Sequence, residues 1–598
     1  MDEHGIRELV EEVRRGRLSR RAFVQTLVAL GLTAPLAAQM LAVGGVAAQP
    51  KAETFTPTRR GGGGQLRVLW WQAPTLLNPH FAVGTKDQDG SRIFYEPLAA
   101  FDPDGNLFPI LTAEIPSVEN GGVAKDGKSV TWKLKRGVVW HDGKPFSADD
   151  VVFNWEYAAD PATAAVTSAA YRDIERVEKL DSHTVKLVFK NPTPFWSDAF
   201  CAARGMIIPK HLFEAYRGAK SREAPANLKP VGTGPYRFVD FKPGDTVRGE
   251  INPSYHVSNR PFFDQIEMKG GGDAASAARA VLQTGEFDFA WNLQVADEIL
   301  KRLEQGGKGH VDMATGGAVE HIQLNNTDPW KDVDGERSSL KTTHPFLTDP
   351  VVRAALNLLV DRAAVHEQIY GRLGQATANY VNGPSRFRSP NTRWEFNVDK
   401  ANQILEAAGW KRGPDGFRGK EGRRLKLVYQ TSINQERQKT QAIVKQACAR
   451  AGIEIEIKSV VASVYFSSDV GNPDTYTKFY TDMQMYTNGP GAPDPQTFMA
   501  QFTSWEVASK DNKWQGRNTT RWRNEEYDGL WKSAENEMDP VKRAALFVRM
   551  NDLVIQNVVA IPILWRNSVA GVSNRLKGND LSGWDSYLWR LAYWYRQA

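Results

Sequence analysis

Alternation of hydrophobic and polar residues predicts strands early in the chain. The stretch QLRVLWW at 65–71 and the stretch SVTWKL at 129–134 both follow the two-residue period of a half-buried strand. Successive side chains of a strand point to opposite faces, so Trp70 and Trp71 cannot enter the same core. One of these two tryptophans is therefore a candidate to line a pocket, and the first half of the chain is expected to be rich in hairpins.

Hydrophobic residues at the three–four spacing of a helix follow two identical start signals further along the chain. Asp349-Pro350 and Asp539-Pro540 each precede such a run. Aspartate is a favoured capping residue, and proline suits the first helical turn because an N–H at that position would lack an intrahelical partner. The first of these two helices is expected to continue as far as Gly371.

Another helix is predicted after the turn that contains His141 and Asp142. Ser147 and Asp150 have the spacing of a capping box, and Pro161 is expected to end the helical pattern. His141 and Asp142 are also candidates for a catalytic pair. Adjacent residues in a turn direct their side chains apart, so a structural role for both residues is favoured.

The second half of the chain has the pattern of a strand–helix–strand unit. RLKLVYQ at 424–430 and IEIEIKSV at 453–460 read as strands on either side of a helix that contains Cys448. A further helix at 398–410 is expected to end at Gly409. Because a helical crossover joins parallel strands, the fold class is α/β with at least part of the sheet parallel.

One short stretch imitates a nucleotide-binding loop. GVAKDGKS at 122–129 matches the phosphate-cradling pattern letter for letter. A phosphate loop needs a helix directly after it, and here an alternating strand follows instead. Asp126-Gly127 therefore supplies a tight turn, Lys128 is expected to be solvated, and nucleotide binding is rejected.

Composition and charge exclude several classes of protein. The 598 residues carry a formal charge of +6, and basic residues are interspersed with acidic ones, whereas a nucleic-acid surface needs clustered basic residues. Cys201 and Cys448 are far apart, which makes a disulfide framework and a zinc site unexpected and leaves open whether the two pair. The 18 tryptophans indicate large core residues, aromatic pocket walls, or both.

The first 48 residues have the features of an export signal. Arg20 and Arg21 lie in LSRRAFV, which fits the twin-arginine pattern, and a moderately apolar, small-residue stretch follows at 26–48. Cleavage is expected after Ala48, and the alternative is an uncleaved membrane anchor. Neither cysteine lies near this region, so lipid attachment there is excluded. A linker at 49–64 is expected to lead to the folded part. Export by this signal places the mature protein in the periplasm.

Motifs of known catalytic centres are incomplete or missing from the sequence. His366-Glu367 is half of a zinc-protease motif, but Tyr370 stands where the second histidine should be. The nucleophile elbow G-x-S-x-G does not occur. No catalytic residue, cofactor or metal is therefore assigned, and an exported hydrolase or chaperone-like protein is kept as the alternative to a binding protein.

Ordered motifs along the whole mature chain resemble one family. The chain is similar to the periplasmic solute-binding proteins of bacterial ABC importers, family 5, whose ligands are dipeptides, oligopeptides, nickel complexes and opines. The resemblance covers the chain from about residue 65 to the end and rests on these motifs: LKRGVVWHDGKPFSADDVVFNWEY (134–157), PVGTGPYRFVDF (230–241), NPSYHVSNRPFFDQIEM (252–268), LQTGEFDFAWN (282–292), HIQLNN (321–326), DPVVRAALNLLVDR (349–362), APDPQTF (492–498) and AIPILWRNS (560–568).

The resemblance implies a two-lobed α/β binding protein of type II, of the large class with an extra subdomain, with a ligand cleft and a hinge between the lobes. Lobe I is expected at 65–315 with a return at 560–598, and it includes an inserted subdomain at about 113–229. Lobe II is expected at 316–559. The implied function is capture of a peptide or peptide-like solute by hinge closure and delivery to the membrane permease of an ABC importer, by a monomer that binds no nucleic acid.

By family position, the resemblance also implies a set of ligand-binding residues from both lobes. Aromatic residues would wall off ligand side chains, and asparagine or aspartate would pair with polar ligand ends. The candidates are Trp70, Tyr95, Trp291, Asn292, Asn325, Tyr486, Asn488 and Asp494. Core packing is an equal alternative for Trp70 and Tyr95, and helix or turn capping is an equal alternative for Asp494.

One position departs from the family pattern. Peptide-binding relatives usually carry an aspartate three residues before the acidic residue of the DP loop, where it pairs with the free amine of the peptide. Gly491 occupies that position here. Asp494 takes over the role, or the loop is displaced, or the ligand lacks a free amine, so the ligand class stays open between peptides and other solutes.

Overall fold

The computed structural model describes residues 12–13, 23 and 55–597. The chain divides into two compact units, Met1–Thr56 and Pro57–Ala598, and every element described below belongs to the second unit. The predicted export signal, its cleavage site and the start of the predicted linker lie almost wholly outside the described residues. Within the part that is described, no helix is long and apolar enough to cross a membrane.

The elements up to the middle of the chain are mainly short strands. The strands are β1 (Gln65–Leu69), β2 (Ala99–Phe101), β3 (Leu107–Pro109), β4 (Ser129–Lys133), β5 (Ile174–Asp181), β6 (Thr184–Phe189), β7 (Tyr236–Lys242), β8 (Thr246–Ile251), β9 (Gln265–Lys269), β10 (Phe289–Ala290) and β11 (Gly309–Leu324). The helices are α1 (Thr85–Arg92), α2 (Ala148–Ala159), α3 (Lys210–Phe213), α4 (Ala274–Leu282) and α5 (Asp297–Glu304).

Helices and strands alternate in the remainder of the chain. The helices are α6 (Pro350–Leu358), α7 (Arg362–Val365), α8 (Val398–Ala407), α9 (Gln435–Arg450), α10 (Ala462–Tyr465), α11 (Gln496–Met499), α12 (Glu525–Asn536) and α13 (Pro540–Gln556). The strands are β12 (Gly374–Ala376), β13 (Lys411–Arg412), β14 (Arg418–Lys420), β15 (Arg423–Arg424), β16 (Lys426–Ser432), β17 (Glu454–Val460), β18 (Met483–Asn488), β19 (Ala560–Ser573), β20 (Leu576–Lys577) and β21 (Tyr595–Arg596).

One mixed sheet runs through both lobes of the fold. Its strand order among the described residues is β17-β16-β18-β11-β19-β10-β1-β9-β8-β7, and β12 pairs with β19 beside this path. β16 is parallel to both β17 and β18, and α9 forms the crossover between β16 and β17, as the sequence predicts. At the other end, β7, β8 and β9 pair as antiparallel neighbours, which agrees with the predicted hairpins.

The long strands β11 and β19 connect the two lobes. They pair antiparallel along most of their length, and the register shifts between Thr315 and Val319. Gly316 lies in this shift, and a Cβ on it would be 2.1 Å from the carbonyl oxygen of Gly583. A side chain therefore does not fit at this position without displacing backbone, so the close approach of the two segments requires glycine.

Several hydrophobic cores pack on and beside this sheet. One core packs around β1, β9 and α4, and another packs around β4, β6 and α2. A further core packs around β16, α6 and α9, and another around α12 and α13. Burial of apolar side chains stabilises each of these regions.

Local signals in the sequence correctly predict several element boundaries. The Ser147 and Asp150 capping box forms at the start of α2, and the aspartate of each Asp-Pro pair caps α6 and α13. β4 follows Lys128, and Lys128 is exposed, so the predicted strand and the solvated lysine are confirmed. His141 bonds to the backbone of Gly232 and Gly234, which is the structural role expected of it.

The prediction of a single helix from Asp349 to Gly371 is wrong. α6 ends at Leu358, and the Asp361 carboxylate then accepts a hydrogen bond from the Ala364 N–H to cap the separate helix α7. A π-helical turn, His366–Tyr370, follows before the chain turns at Gly371. The apolar spacing continues through the break, so the periodicity alone does not reveal the second cap.

The expectation that the folded part begins near residue 65 needs a correction. Arg60 donates to the carbonyl oxygens of Tyr255 and Val257 at 2.6 and 3.2 Å. The Asp264 carboxylate accepts from the N–H groups of Gly62 and Gly64, each at 2.8 Å. The second half of the predicted linker is therefore part of the fold, because these donors are held by the segment that precedes β9.

Cys201 and Cys448 are both buried and both free. Cys201 lies in the core around β4 and β6, and Cys448 lies in the core around β16 and α9. The two cysteines therefore belong to different cores, and each acts as a small apolar residue.

Candidate ligand-binding site

A cavity of about 270 Å³ lies between the two lobes. Its volume is just below the usual range for small-molecule sites, about 300–1,000 Å³. The first lobe contributes Gln72, residues 82–86, Gln88, Val166, Thr167, Arg204, Trp291, Asn292, Gln294, residues 566–568 and Tyr587 to its wall. The second lobe contributes Ala318, Arg437, Phe466, Tyr476, Thr477, residues 486–489, Gln501, residues 514–517 and Thr519.

The edge of β10 forms one aromatic wall. Trp291 is 2 % exposed, stacks on Trp70 at 5.9 Å between ring centroids and packs edge-on against Tyr587 at 6.2 Å. Its indole N–H has no hydrogen-bond partner among the described residues. The chain leaves β10 through Asn292, whose φ of 48° is in the left-handed region that asparagine tolerates. The Asn292 amide oxygen accepts from Arg566 at 3.2 Å.

The opposite wall comes from β18. The Tyr486 ring packs against His321 at 4.7 Å and Tyr476 at 4.9 Å between centroids. Burial lowers the pKa of His321 to about 4, so this imidazole is neutral at physiological pH and contributes no charge to the wall. Asn488 is held by two partners, since its amide oxygen accepts from the Tyr380 hydroxyl at 2.9 Å and its amide nitrogen donates to Gln501 at 3.0 Å.

A buried ion-pair cluster supports the floor of the cavity. Arg437 on α9 donates to Glu320 on β11 at 2.8 Å, and Arg566 on β19 lies 3.6 Å from the same carboxylate. Although burial acts to raise it, the two guanidinium groups hold the pKa of Glu320 below its usual value. One carboxylate thus serves two arginines beside the cavity.

A second, smaller cavity of about 20 Å³ opens beside Gly491. It shares Val166, Thr167, Arg204 and Arg517 with the large cavity, so the two are adjoining. The volume is sufficient for one water-sized group, since about 10–15 Å³ is needed. A Cβ on Gly491 would have Arg204 as its nearest neighbour at 3.7 Å.

Four of the eight predicted ligand residues line the large cavity, and the other four lie elsewhere. Trp291, Asn292, Tyr486 and Asn488 are on its walls. Trp70 and Tyr95 are fully buried in the core around β1, and the Trp70 indole donates to Asp89 at 3.1 Å. Trp70 thus supports Trp291 from behind, and the core-packing alternative considered for Trp70 and Tyr95 agrees with their positions.

Asn325 and Asp494 make internal contacts. The Asn325 amide nitrogen donates to the carbonyl oxygen of Phe479 at 2.9 Å, and its oxygen accepts from Thr327. The Asp494 carboxylate accepts from the Gln496 N–H at 2.9 Å and from Arg543 at 2.9 Å, which is the capping role considered for it. Asp494 therefore already has a cationic partner within its own lobe.

Sequence reasoning missed the cationic residues of the cavity. Lys86, Arg204, Arg437, Arg517 and Arg566 line it and come from five separate segments. Only the motif around Arg566 pointed to this region, and no local pattern distinguishes the other four from solvated surface cations. Among the described residues no cluster of histidine, cysteine, aspartate or glutamate could hold a metal ion.

A comparison with protein families decides the classification. The family model described as bacterial extracellular solute-binding proteins, family 5 Middle, matches residues 116–510. The chain belongs to this family. As a family 5 protein it is a solute-binding protein of the extracellular or periplasmic space, and the resemblance noted in its motifs is confirmed.

Curated relatives cover most of this family 5 protein. The oligopeptide-binding protein AppA of Bacillus subtilis is 29 % identical over 407 residues, which are 67 % of this chain and 69 % of the relative. The glutathione-binding protein GsiB of Escherichia coli K12 is 25 % identical over 508 residues, which are 84 % of this chain and 89 % of the relative.

Solved structures share the two-lobed fold. The structure of AppA from Bacillus subtilis in complex with a nonapeptide has a TM-score of 0.77 at 23 % identity and covers 91 % of this chain and 100 % of the other. NikZ from Campylobacter jejuni in complex with Ni(L-His) has a TM-score of 0.75 at 22 % identity, with coverage of 89 % and 99 %. The expected α/β fold with two lobes and a cleft is therefore confirmed.

Proposed function

We propose that this family 5 protein captures a small organic solute between its lobes and delivers it to the membrane permease of an ABC importer. The observation that carries the proposal is the cavity, whose walls come from both lobes. A solute that contacts both lobes binds the closed form better than the open form, and this difference in affinity drives closure. A permease can then distinguish loaded protein from empty protein by its shape.

Direct contacts between the lobes support a closed arrangement. Arg172 in the first lobe pairs with Glu506 in the second at 2.9 Å. Thr497 donates to Asp198 at 2.8 Å, and Asn434 donates to Gln294 at 2.8 Å. These contacts lie at several places around the cavity, so closure encloses the solute and excludes bulk water from its polar groups.

The small volume limits the size of the solute. A cavity of about 270 Å³ suits a compound of dipeptide size better than a long peptide. The ligands in solved structures of relatives range from a nonapeptide on AppA to agropinic acid on the binding protein AgaA. We propose a peptide-like or opine-like solute at the small end of this range.

We propose Trp291, Asn292, Tyr486 and Asn488 as ligand contacts. Trp291 offers a buried indole N–H that has no partner among the described residues, and Tyr486 offers an aromatic face. Trp70, Tyr95, Asn325 and Asp494 act behind the walls, because each is held in a core or by its own hydrogen bonds.

We propose lobe boundaries at the register shift of β11 and at the start of β19. Lobe I is 65–315, preceded by residues 60–64 that pack on it, with the return at 560–598, and lobe II is 316–559. The three-stranded sheet of β4, β6 and β5 supports an inserted subdomain at about 113–229. The shift between Thr315 and Val319 supports the first crossing, because pairing is interrupted there.

We propose that the protein is a periplasmic monomer without catalytic activity and is exported by the twin-arginine route. The support is Arg20 and Arg21 ahead of an apolar stretch at 26–48 and the absence of a cysteine in that region of the sequence. Replacing both arginines by lysine is expected to leave the protein in the cytoplasm with its signal uncleaved. Normal export of this double variant would contradict the route.

The function is tested on protein exported by its own cell type. A native mass spectrum is expected to contain a retained compound of dipeptide size, and that compound should return unchanged after release. Removal by partial unfolding and re-addition should reduce the radius of gyration in small-angle X-ray scattering. Chemical turnover of the retained compound, or re-addition without compaction, would contradict a binding protein that works by closure.

A further inference from the structure

The proposed first lobe also meets the second lobe at a patch whose residues do not line the large cavity. Arg172, just before β5, pairs with Glu506 at 2.9 Å and lies 5.5 Å from the centroid of the Trp531 ring on α12. A Cβ on Gly127 would be 2.9 Å from Cε of Met538, so the turn that imitates a nucleotide loop also packs against the second lobe. These contacts exist only when the lobes are close together, so the patch belongs to the closed form.

Two carboxyl groups face each other across this patch. Asp173 directly precedes β5, Glu535 lies in the last turn of α12, and both residues are half-buried. The Glu535 carboxyl group donates a hydrogen bond to the Asp173 carboxylate. An ionised carboxyl group can only accept hydrogen bonds, so this contact requires one proton that the two groups share.

Two cations act on the carboxyl pair, and both are also engaged elsewhere. Arg172 and Lys190 favour the ionised forms of the two carboxyl groups. Arg172 is paired with Glu506, and the Lys190 ammonium donates to the Arg172 carbonyl oxygen at 2.7 Å. Among the other charges nearby, Lys532 lies 5.0 Å from the centroid of a tryptophan ring, and Arg517 acts on Glu506. The cations therefore offset only part of the repulsion between two ionised carboxyl groups.

Burial and mutual repulsion outweigh these cations. Burial first, and the charge of Asp173 second, raise the pKa of Glu535 to about 7. Burial also raises the pKa of Asp173, although the hydrogen bond from Glu535 acts to lower it. With the lobes together, the pair thus retains one proton at pH values at which solvated carboxyl groups are ionised.

From this geometry, and resting on the proposed function, we propose that Asp173 and Glu535 form a proton-binding site between the lobes that couples closure to pH. In the closed form the two carboxyl groups share one proton. In the open form they separate into water, and each ionises as an ordinary carboxyl group does. Closure therefore takes up a proton, and a rise in pH favours the open form, which releases solute.

The size of the effect follows from the two environments of the pair. The closed form holds the shared proton up to about pH 7, whereas a solvated glutamate releases its proton near the ordinary pKa of 4.5. The closed form binds more protons in this window, so the ratio of closed to open protein falls as pH rises through it. We expect a fall of about fivefold to thirtyfold between pH 5.5 and pH 8, since solvent that reaches the half-buried pair reduces the effect.

The experiment follows closure in full-length exported protein that is freed of solute by partial unfolding and refolding. Small-angle X-ray scattering at pH 5.5 and pH 8, at one ionic strength, is resolved into open and closed forms. Wild type is expected to be less compact at pH 8. Glu535→Gln and Asp173→Asn should keep the same closed fraction at both pH values, because an amide donates to the remaining carboxylate without a titrating proton. Glu526→Gln, at an exposed pair with Arg549 beginning on the same helix, is the control and should follow wild type.

Asp198 is a second acid between the lobes, and the variants separate it from the pair. It accepts from Thr497 at 2.8 Å, and burial, followed by the charge of Asp494, raises its pKa to about 7. A pH-dependent change of the same size in wild type, Glu535→Gln and Asp173→Asn would assign the titration to another group such as Asp198 and overturn the proposal. Equal compactness of wild type at both pH values would overturn it as well.

The two variants are independent, so a folding defect in one of them, detected by circular dichroism, leaves the other as the test. The failure of this inference is distinct from that of the proposed function. Compaction by the compound released from the exported protein, without a pH effect in its absence, would end the inference and leave the proposed function standing. A pH effect without compaction by that compound would end the proposed function instead.

Discussion

At the scale of single residues, the interior of this family 5 protein holds several carboxyl groups away from water. Burial raises the pKa of Asp89 and of Glu436 to about 7 in each case. Asp89 keeps hydrogen bonds to Trp70 and Ser586. Glu436 is only 2 % exposed, and neither of its carboxylate oxygens has a hydrogen-bond partner among the described residues. Glu436 therefore weakens the fold once it ionises.

Glu436→Gln is expected to stabilise the protein in a pH-dependent way. The folded state keeps the Glu436 proton up to about pH 7, and the unfolded chain releases it near the ordinary glutamate pKa of 4.5. The folded state binds more protons in this window, so the free energy of unfolding of wild type falls as pH rises. The advantage of Glu436→Gln should grow by roughly 2–3 kcal/mol between pH 5 and pH 8.

Denaturant unfolding at the two pH values measures this difference. Glu367→Gln, at an exposed position, is the control and should show no such trend. A constant difference between Glu436→Gln and wild type at both pH values would mean that Glu436 is ionised in the folded state at pH 5.

At the scale of elements, the capping aspartate contributes differently to stability at α6 and at α13. Asp539 is exposed and accepts from the N–H groups of Val541 and Lys542. Asp349 accepts from the Val351 N–H and also from the buried Trp410 indole at 3.0 Å. One carboxylate thus caps α6 and fixes the segment that follows α8.

Asp539→Ala is expected to lower the free energy of unfolding by about 1 kcal/mol, the usual loss for a capping residue. Asp349→Ala should lower it by about 2–3 kcal/mol, because the Trp410 N–H also loses its acceptor inside the protein. Chemical denaturation of the two variants compares them directly. Equal losses would show that the Trp410 hydrogen bond adds nothing to the cap.

Local spacing predicts the fold of this chain better than it predicts the site. Ser147 and Asp150 are three residues apart, so their capping box follows from the sequence alone. Arg204 and Arg517 meet only after both lobes have folded and approached each other, and neither has a local pattern around it. Family position points to Trp291 and Tyr486, and both line the cavity. The break at Asp361 was missed because hydrophobic spacing continues across it.

At the scale of the whole molecule, closure depends on contacts that link the lobes outside the cavity. The Arg172 guanidinium pairs with Glu506 and also lies 5.5 Å from the centroid of the Trp531 ring. Side-chain exposures of 36 % and 14 % mean that solvent screens this pair only in part. Its contribution is of the order of 1 kcal/mol, which is enough to shift an open–closed equilibrium severalfold.

Glu506→Gln is expected to weaken solute binding about twofold to fivefold by favouring the open form, since the loss is no more than about 1 kcal/mol. The binding enthalpy of the retained solute and its dissociation constant are measured by titration calorimetry. Glu526→Gln removes an exposed pair with Arg549 inside the second lobe and is the control. Unchanged affinity in Glu506→Gln would mean that the cavity contacts alone hold the lobes closed.

The pairing of β11 with β19 has a consequence for the engineering and the evolution of the second lobe. Val319 and Trp565 are paired neighbours on these two strands, so the chain enters and leaves the second lobe at almost the same point in space. The second lobe is in this sense an insert with adjacent ends, the arrangement in which grafting and circular permutation succeed. Exchange of this insert between relatives would transfer one of the two walls of the cavity in one step. The first lobe and its part of the sheet would keep their connections.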